Sequence, residues 1–347
     1  MRILLTVEPD IPVPPKLYGG IERIVDGLIR ELRCRGHEIG LLANPESKCS
    51  VDYFIAWPGN TSHKRGDTIR NTSTLLRAVR EFRPNLVHSF ARLMYLLPLL
   101  PRGIPKIMSY QRGAGGKQIR IASKLGGRSV EFTGCSEYVA GMGRLWGSQW
   151  TAIPNFVDTD FFRFQPAVAE DAPLVFLSRI ERIKGAHTAI ALARETGRRL
   201  ILAGNRVPHE EGETYWKSEI EPFVNKDGIE YVGPVNDEQK NDLLRSAAAM
   251  VVPIEWDEPF GIVFAEALAC GTPVISCPRG ALPEIVNDGE HGFLIRGFEE
   301  GVDAICRLSE IKRSECRRRA EERFSRKVVV GQYEALYARL VNGGGHS

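Results

Sequence analysis

The strongest chemical signal in the sequence is a pair of glutamates eight positions apart, Glu258 and Glu266, in the segment EPFGIVFAE. Glu266 stands among apolar residues, where a carboxylate is costly unless it accepts hydrogen bonds, and a ribose diol would supply two donors. Glu258, at the start of the segment, is suited to binding the hydroxyls of a sugar. The structural alternative is an acid that complements a helix dipole, beside a partly exposed glutamate.

Gly261 lies between these glutamates, where the pattern predicts that a strand ends and a helix begins. The predicted strand is Met250–Pro253, and the predicted helix runs from Gly261 to Ala269. Ligands of parallel sheets bind at such junctions, because the first N–H groups of the helix and its dipole attract anions. We therefore expect a diphosphate to bind here.

Two cations, Arg179 and Lys184, follow another predicted strand in the segment FLSRIERIKG. A leaving phosphate gains negative charge as its bond breaks, and fixed cations would stabilise it. Arg182 in the same loop is a weaker candidate. Taken alone, basic residues in a loop are usually surface charges.

Three features of the first half are further candidates. Gly19 and Gly20 follow a proline-rich loop, and paired glycines before a helix allow a backbone to approach a ligand, although taken alone they favour a tight turn with a helix start. His88 ends a predicted strand, where it could serve as a base or be only a strand-end histidine. Arg92 lies in the following loop, where it could shape an acceptor site.

The elements that must position these residues alternate between short apolar strands and longer helices, and the pattern occurs twice. It predicts an α/β protein with two Rossmann-like domains built on parallel sheets. The predicted boundaries are 1–160 for the first domain and 161–325 for the second. A last helix over 326–342 is expected to cap the second domain or to cross back to the first.

The segment EPFGIVFAEALACGTPVIS closely resembles the donor-site motif of family 4 retaining glycosyltransferases, which have the GT-B fold. GALPEI and IPNFVD resemble two further motifs of that family, and RIERIKG and GGIER resemble its basic loop and its glycine loop. The family commonly has His-x-His where this chain has His88-Ser89-Phe90. The resemblance extends over most of the chain.

The resemblance implies two domains facing across a cleft, the first binding the acceptor and the second a nucleoside-diphosphate sugar. By position it implies that Glu258 contacts the donor sugar and Glu266 the ribose. The backbone of Phe260, Gly261 and Ile262 would approach the sugar and phosphates, and the loop at Gly19 and Gly20 would meet the phosphates. Arg179 and Lys184 would stabilise the leaving phosphate.

The implied reaction is transfer of a hexose with retention, in which the leaving phosphate accepts the proton of the acceptor. A UDP-sugar is favoured as donor and a GDP-sugar is second. No cofactor is expected, and no metal, because Asp158-Thr159-Asp160 lies in a linker and not after a nucleotide-binding strand. A nucleotide-sugar epimerase and a non-catalytic nucleotide-sugar binder are the alternatives.

Charge is uneven along the chain. Residues 1–165 hold 23 lysines and arginines against 14 acids, and no acid occurs between Glu81 and Glu131. Such a field suits an anionic acceptor or lipid headgroups, although a solvated basic face is equally compatible. No nucleic-acid partner is expected. The apolar N-terminus is too short for a secretion signal and the cysteines show no pairing pattern, so we expect a cytoplasmic protein, with peripheral contact at the inner membrane face as one option.

Overall fold

The computed structural model describes residues 1–15, 19–61, 64–113 and 116–343. The chain divides into two compact units. Unit 1 comprises residues 1–155 and the residues from Arg326 onward, and unit 2 comprises Phe156–Ser325. The units divide five residues before the predicted boundary at residue 160, because Phe156 and the segment after it pack with unit 2.

Unit 1 is built on a seven-stranded sheet with the order β3-β2-β1-β4-β5-β6-β7, in which every pair is parallel. The strands are β1 (Arg2–Thr6), β2 (Glu38–Ala43), β3 (Tyr53–Ala56), β4 (Leu86–Ser89), β5 (Lys106–Tyr110), β6 (Val130–Gly134) and β7 (Trp150–Ala152). The helices from this part of the chain are α1 (Gly20–Cys34), α2 (Arg65–Phe82), α3 (Leu93–Leu96), α4 (Lys117–Gly126) and α5 (Glu137–Arg144).

Unit 2 is built on a six-stranded parallel sheet with the order β10-β9-β8-β11-β12-β13. The strands are β8 (Leu174–Leu177), β9 (Leu200–Ala203), β10 (Ile229–Gly233), β11 (Ala249–Val252), β12 (Val274–Ser276) and β13 (Gly292–Leu294). The helices are α6 (Ala186–Glu195), α7 (Glu210–Tyr215), α8 (Asp237–Ser246), α9 (Ile262–Ala269), α10 (Leu282–Ile285), α11 (Phe298–Cys306) and α12 (Arg313–Arg319).

The central strands of both sheets are almost entirely buried and mostly apolar. In β1 the residues Ile3, Leu4 and Leu5 are fully buried, and in β11 every residue is buried. Strands read as continuous apolar runs when helices cover both faces of a parallel sheet. The predicted α/β architecture with two parallel sheets is confirmed.

The last helix, α13 (Arg326–Gly343), packs within unit 1. Its buried residues include Val329, Tyr333 and Tyr337, which recur at the spacing of one helix face. Glu334 accepts hydrogen bonds from Arg35 at 2.9 Å, just beyond α1, and contacts the ring of His37 at 2.8 Å. Helix α13 therefore completes the unit that residues 1–155 form. Within the described ranges, no helix combines the length and the apolar character needed to cross a membrane.

Candidate active site

The loops after β8, β11 and β12 lie at one edge of the unit 2 sheet. These strands are parallel neighbours, so their carboxyl ends meet there. The N–H of Glu255 donates to the carbonyl of Ile183 at 2.8 Å, which joins the loops after β11 and β8. The N–H of Ala281 donates to the carbonyl of Glu258 at 2.8 Å, which joins the loops after β12 and β11. Backbone contacts therefore hold together the segments that carry the predicted donor-site residues of unit 2.

Two glycines make this close approach of the loops possible. A Cβ atom on Gly185 would lie 2.1 Å from the carbonyl oxygen of Pro253, and one on Gly280 would lie 2.3 Å from that of Glu258. Both glycines also have a positive φ, 78° and 57° respectively, which other residues rarely adopt. A side chain at either position would push the neighbouring loop away from the site.

Glu258 and Lys184 form a largely buried ion pair between two of these loops. Their side chains are 13% and 9% exposed, and the Lys184 ammonium lies 2.6 Å from Oε2 of Glu258. The indole N–H of Trp256 donates to the same oxygen at 3.1 Å, and the Lys184 ammonium lies 4.3 Å from the centre of the Trp256 ring. Both polar contacts use Oε2, so Oε1 has no hydrogen-bond partner in the described part of the chain.

Glu266 is paired in the same way with a lysine that the sequence reasoning missed. Lys240 of α8 donates to Oε1 of Glu266 of α9 at 2.6 Å, and it also lies 3.3 Å from Asp237. Glu266 is only 9% exposed. Residues 240 and 266 are 26 positions apart, and a lone lysine on a polar helix face carries no signal of this contact. Among the described residues, no hydrogen bond reaches Oε2 of Glu266.

Gly261 ends the loop before α9 in a left-handed conformation, with φ 81°, and the helix begins at Ile262. The first N–H groups of a helix have no partner within it, and the helix dipole adds partial positive charge at this end. Phe260 is buried and packs edge to face on Phe324, with ring centres 5.7 Å apart. Its side chain thus anchors the loop, which leaves its backbone as the part able to meet a ligand.

The other two cations of the basic loop occupy more exposed positions. Arg179 is 48% exposed and lies 2.9 Å from Glu181, and Arg182 is 59% exposed and lies 3.6 Å from Glu219. The structure thus brings Lys184 to Glu258 but leaves Arg179 with a neighbouring acid. Among the described residues, no hydrogen bond or ion pair joins Arg179 to Glu258 or Glu266.

His88, predicted as a catalytic candidate, is fully buried inside unit 1. Its Nδ1 lies 2.7 Å from the hydroxyl of Tyr337, and its Nε2 lies 2.6 Å from the hydroxyl of Ser109. Burial lowers the pKa of His88 to about 3, so the ring is neutral at physiological pH. The prediction of a base that reaches a substrate does not fit this position, because α13 covers the residue and both ring nitrogens are occupied.

Gly19 and Gly20 stand directly before and at the start of α1, at the carboxyl edge of the unit 1 sheet. Gly19 has φ 155°, and a Cβ atom there would lie 2.6 Å from Pro15 and 2.8 Å from the carboxylate of Glu22. Glu22 is buried, and that burial raises its pKa. The glycine loop therefore lies against a carboxyl group of the first turn of α1.

A second carboxyl group, that of Glu8, follows β1 and was not predicted as a site residue. Burial, with the nearby charge of Asp10, raises the pKa of Glu8 to about 7, against the opposing effects of Arg92 and Arg112. A carboxyl with such a pKa exchanges its proton near neutral pH. Arg92, predicted to shape an acceptor site, thus acts electrostatically on an acid that follows the first strand.

No group of three or more potential metal ligands is found among the described residues. The side chain of Asp158, the first acid of Asp158-Thr159-Asp160, instead accepts hydrogen bonds from the N–H groups of Asp160 and Phe161, each at 3.2 Å. It caps the start of a turn in the linker segment.

Comparison with known families gives two adjoining matches. The family described as "Glycosyl transferases group 1" matches residues 158–324, and that described as "Glycosyltransferase Family 4" matches residues 18–161. The first contains both glutamates of the pair and both lysines that bind them. The second contains the glycine loop and Arg92.

Individual relatives agree with this assignment. The D-inositol 3-phosphate glycosyltransferase of Mycolicibacterium smegmatis is 30% identical over 179 residues, which are 49% of this chain and 40% of that protein. The chain spans less than half the length of the curated relatives that it matches, between 15% and 42%.

Solved structures match over the whole chain. AviGT4, a glycosyltransferase involved in avilamycin A biosynthesis, has a TM-score of 0.73 and 26% identity, covering 99% of this chain and 98% of that one. HepE of Anabaena, solved with UDP and glucose, has a TM-score of 0.74 and 18% identity over 97% and 99% of the two chains, which shows the fold alone. Two parallel sheets, a paired-glutamate loop at the carboxyl edge of the second and these matches together establish that the chain belongs to glycosyltransferase family 4 and has the GT-B fold.

Proposed function

We propose that this protein is a retaining glycosyltransferase that moves a hexose from a nucleoside-diphosphate sugar to a hydroxyl of an acceptor. The observation that carries the proposal is the pair of lysine-bound carboxylates beside the start of α9. Glu258 and Glu266 are each fixed through one oxygen at 2.6 Å, and in each the other oxygen has no hydrogen-bond partner among the described residues, so that it is available to accept from a hydroxyl. A sugar and a ribose joined by a diphosphate present hydroxyls at both ends and negative charge between them.

The proposed binding mode follows from these positions. Glu266 accepts hydrogen bonds from the ribose, Glu258 accepts them from the donor sugar, and the diphosphate meets the start of α9 at Gly261 and Ile262. Lys184, already held by Glu258, faces the leaving phosphate, and Arg179 moves to it from Glu181. The predicted donor role of Gly19 and Gly20 and the predicted acceptor role of Arg92 stay predictions.

The proposed reaction takes place on one face of the sugar. The bond between the anomeric carbon and the diphosphate oxygen breaks, and the acceptor oxygen forms its bond on the same side. The proton of the acceptor hydroxyl passes to the leaving phosphate, so that nucleoside diphosphate and an α-linked product are released. Lys184, Arg179 and the helix dipole stabilise the charge that develops on the phosphate. No residue outside the donor is needed as base.

Two relatives support the choice of substrates. HepE of Anabaena was solved with UDP and glucose, which favours a UDP-sugar over a GDP-sugar as donor. The D-inositol 3-phosphate glycosyltransferases are named for a phosphorylated acceptor, and the acid-free basic stretch between Glu81 and Glu131 suits an anionic acceptor.

The first experiment is donor hydrolysis without acceptor. UDP-glucose, UDP-N-acetylglucosamine, UDP-galactose and GDP-mannose are offered separately, and nucleoside diphosphate release is followed for wild type, Glu258→Gln and the exposed-acid control Glu299→Gln. We expect release from one donor, lost in Glu258→Gln and kept in the control, with the α-anomer of the sugar as first product by NMR. A β-anomer as first product would refute retention.

The same samples distinguish a transferase from the two alternatives, an epimerase and a non-catalytic binding protein. Conversion of the donor into a different sugar nucleotide without acceptor would identify an epimerase. Donor binding by calorimetry without any turnover would identify a binding protein. With the donor known, D-inositol 3-phosphate and uncharged inositol form a matched pair of acceptors, and preference for the phosphorylated compound would support an anionic acceptor.

A further inference from the structure

Helix α4 of unit 1 has an apolar inner face and an outer face that is both apolar and basic. Ile119, Ala122 and Gly126 are buried against the sheet. On the opposite side, Ile121 and Leu125 are 53% and 52% exposed. They are four positions apart and lie next to each other on the helix surface. Ordinary outer faces of helices are polar, so two large exposed aliphatic side chains in one row need a reason.

The same outer face carries only positive charge. Lys117, Arg120 and Lys124 are exposed along α4, and Arg128 is exposed just beyond its end. The helix contains no acid, and it lies inside the stretch from 82 to 130 that has none. A solvated face normally mixes both signs, because opposite charges at this spacing stabilise a helix.

A second exposed apolar group belongs to the end of α5. Leu145 is 82% exposed and Met142 is 36% exposed. Trp146 follows, and the Arg120 guanidinium lies 5.9 Å from the centre of its ring, which brings the two segments side by side. We name Lys117, Arg120, Ile121, Lys124, Leu125 and Leu145 the α4 surface.

Other exposed apolar side chains do not form such a group. Ile69 on α2 is 68% exposed, and the exposed Val232 and Phe298 belong to separate elements of unit 2. Single exposed hydrophobic residues are normal, whereas a group of them within a basic field marks a contact surface.

We propose that the α4 surface binds the headgroup region of a membrane that contains anionic lipids. The cations would attract the negative surface, and Ile121, Leu125 and Leu145 would enter the boundary between headgroups and acyl chains. A membrane fits better than a nucleic acid, which offers aliphatic side chains no apolar surface. It also fits better than an acidic protein, because the boundary of the acyl chains takes up Ile121, Leu125 and Leu145 without a matching pocket. This inference does not rest on the proposed transfer reaction.

The test is co-sedimentation of the full chain with vesicles of phosphatidylcholine alone and of phosphatidylcholine with about 30% phosphatidylglycerol, at about 0.15 M salt. We expect sedimentation with the anionic vesicles only. Lys117→Gln/Lys124→Gln is expected to weaken binding to the anionic vesicles about 25-fold, because each cation near an anionic surface contributes about fivefold. Ile121→Ser/Leu125→Ser is expected to weaken it at least tenfold.

Matched controls are Lys217→Gln/Lys312→Gln, which changes two exposed cations of unit 2, and Ile69→Ser, which changes an aliphatic residue that is 68% exposed. Both should bind as wild type does. Thermal unfolding and donor hydrolysis report whether each variant is folded and whether the transfer site is intact, so failure of one proposal is visible apart from the other. The proposal is overturned if anionic vesicles do not sediment the protein, or if Ile121→Ser/Leu125→Ser sediments like wild type.

Discussion

The ammonium group of Lys240 lies 2.6 Å from Oε1 of Glu266, so that α8 and α9 are joined by a charged contact. With side chains 17% and 12% exposed, this pair is shielded from solvent far more than an ordinary surface ion pair. The contact holds Oε1 of Glu266 at the lysine and leaves Oε2 without a hydrogen-bond partner in the described ranges. Lys240 is therefore a positioning residue for a carboxylate that would bind ribose.

Replacing this lysine should weaken donor binding more than it slows turnover. Lys240→Met removes the partner of Glu266, and we expect the KM for the donor to rise about 10- to 100-fold while kcat changes less than about threefold, because a hydrogen bond to a charged group is worth about 1.5–3 kcal/mol. Steady-state kinetics measure both. Lys240→Arg should restore part of the loss, and Lys217→Met is the control. An unchanged KM in Lys240→Met would show that the pair is only structural.

Removing Lys184, the buried cation of the basic loop, should lower kcat more than it raises the KM for the donor. Lys184→Ala is expected to lower kcat about 10²- to 10³-fold at saturating donor, as loss of a group that stabilises transition-state charge does. Arg179→Ala should have a smaller effect of the same kind. Arg182→Ala, in the same loop and paired with Glu219 at 3.6 Å, is the control. Wild-type kcat in Lys184→Ala and Arg179→Ala would refute the stabilising role of these cations.

The raised pKa of Glu8 predicts a pH-dependent cost to stability. The pKa moves from its ordinary value of 4.5 to about 7 in the folded protein, chiefly through burial. The folded state therefore binds more protons than the unfolded state between these values, and the free energy of unfolding falls as pH rises through them. Glu8→Gln should be more stable than wild type above pH 7 by about 1–3 kcal/mol and equal to it below about pH 4.

Urea unfolding of both proteins over pH 4 to 8 measures this difference, with the exposed Glu299→Gln as control. If Glu8→Gln lost the rate of transfer to the acceptor but kept the rate of donor hydrolysis, this result would in addition place Glu8 at the acceptor. A difference in stability that does not change with pH would contradict the assignment of the proton to Glu8.

His88 should matter for stability and not for chemistry. Burial lowers its pKa to about 3, so the unfolded state binds the extra proton first as pH falls below 6.5, and stability is lost between about pH 6.5 and 3. The loss is on the order of 1 kcal/mol per pH unit within that window. His88→Gln should abolish this acid sensitivity, lower stability at pH 7 by about 1–3 kcal/mol and keep kcat within about twofold. A much larger loss of kcat in a folded variant would restore a catalytic role.

The sequence predicts the sheets well because buried parallel strands are continuous apolar runs, as in β11. It misses β3 and β7, which are the edge strands of unit 1 and are short. Glu258, Glu266 and Gly261 could be found because strand, loop and helix are consecutive in the chain. Lys240 and Glu8 could not be found in this way, because their roles depend on packing between segments that no local sequence pattern connects.

His88 shows the opposite case, a residue that the sequence offers as a catalytic candidate and that tertiary packing buries. Its place at the end of a strand is visible in the sequence, but its partner Tyr337 is 249 positions away. Whether a strand-end side chain meets solvent or a covering helix is decided by tertiary packing alone. Arg179 likewise matches the basic loop in sequence, while its ion pair with Glu181 appears only in the structure.

The return of α13 to unit 1 has a consequence for synthesis. Tyr333 and Tyr337, which close over His88, leave the ribosome after the whole of unit 2. Unit 2 is contiguous and is complete at Ser325, whereas unit 1 keeps an open patch of its core until α13 (Arg326–Gly343) has been translated. Premature termination after Ser325 would therefore yield a chain whose second unit is complete and whose first, although translated first, stays unfinished and prone to aggregation.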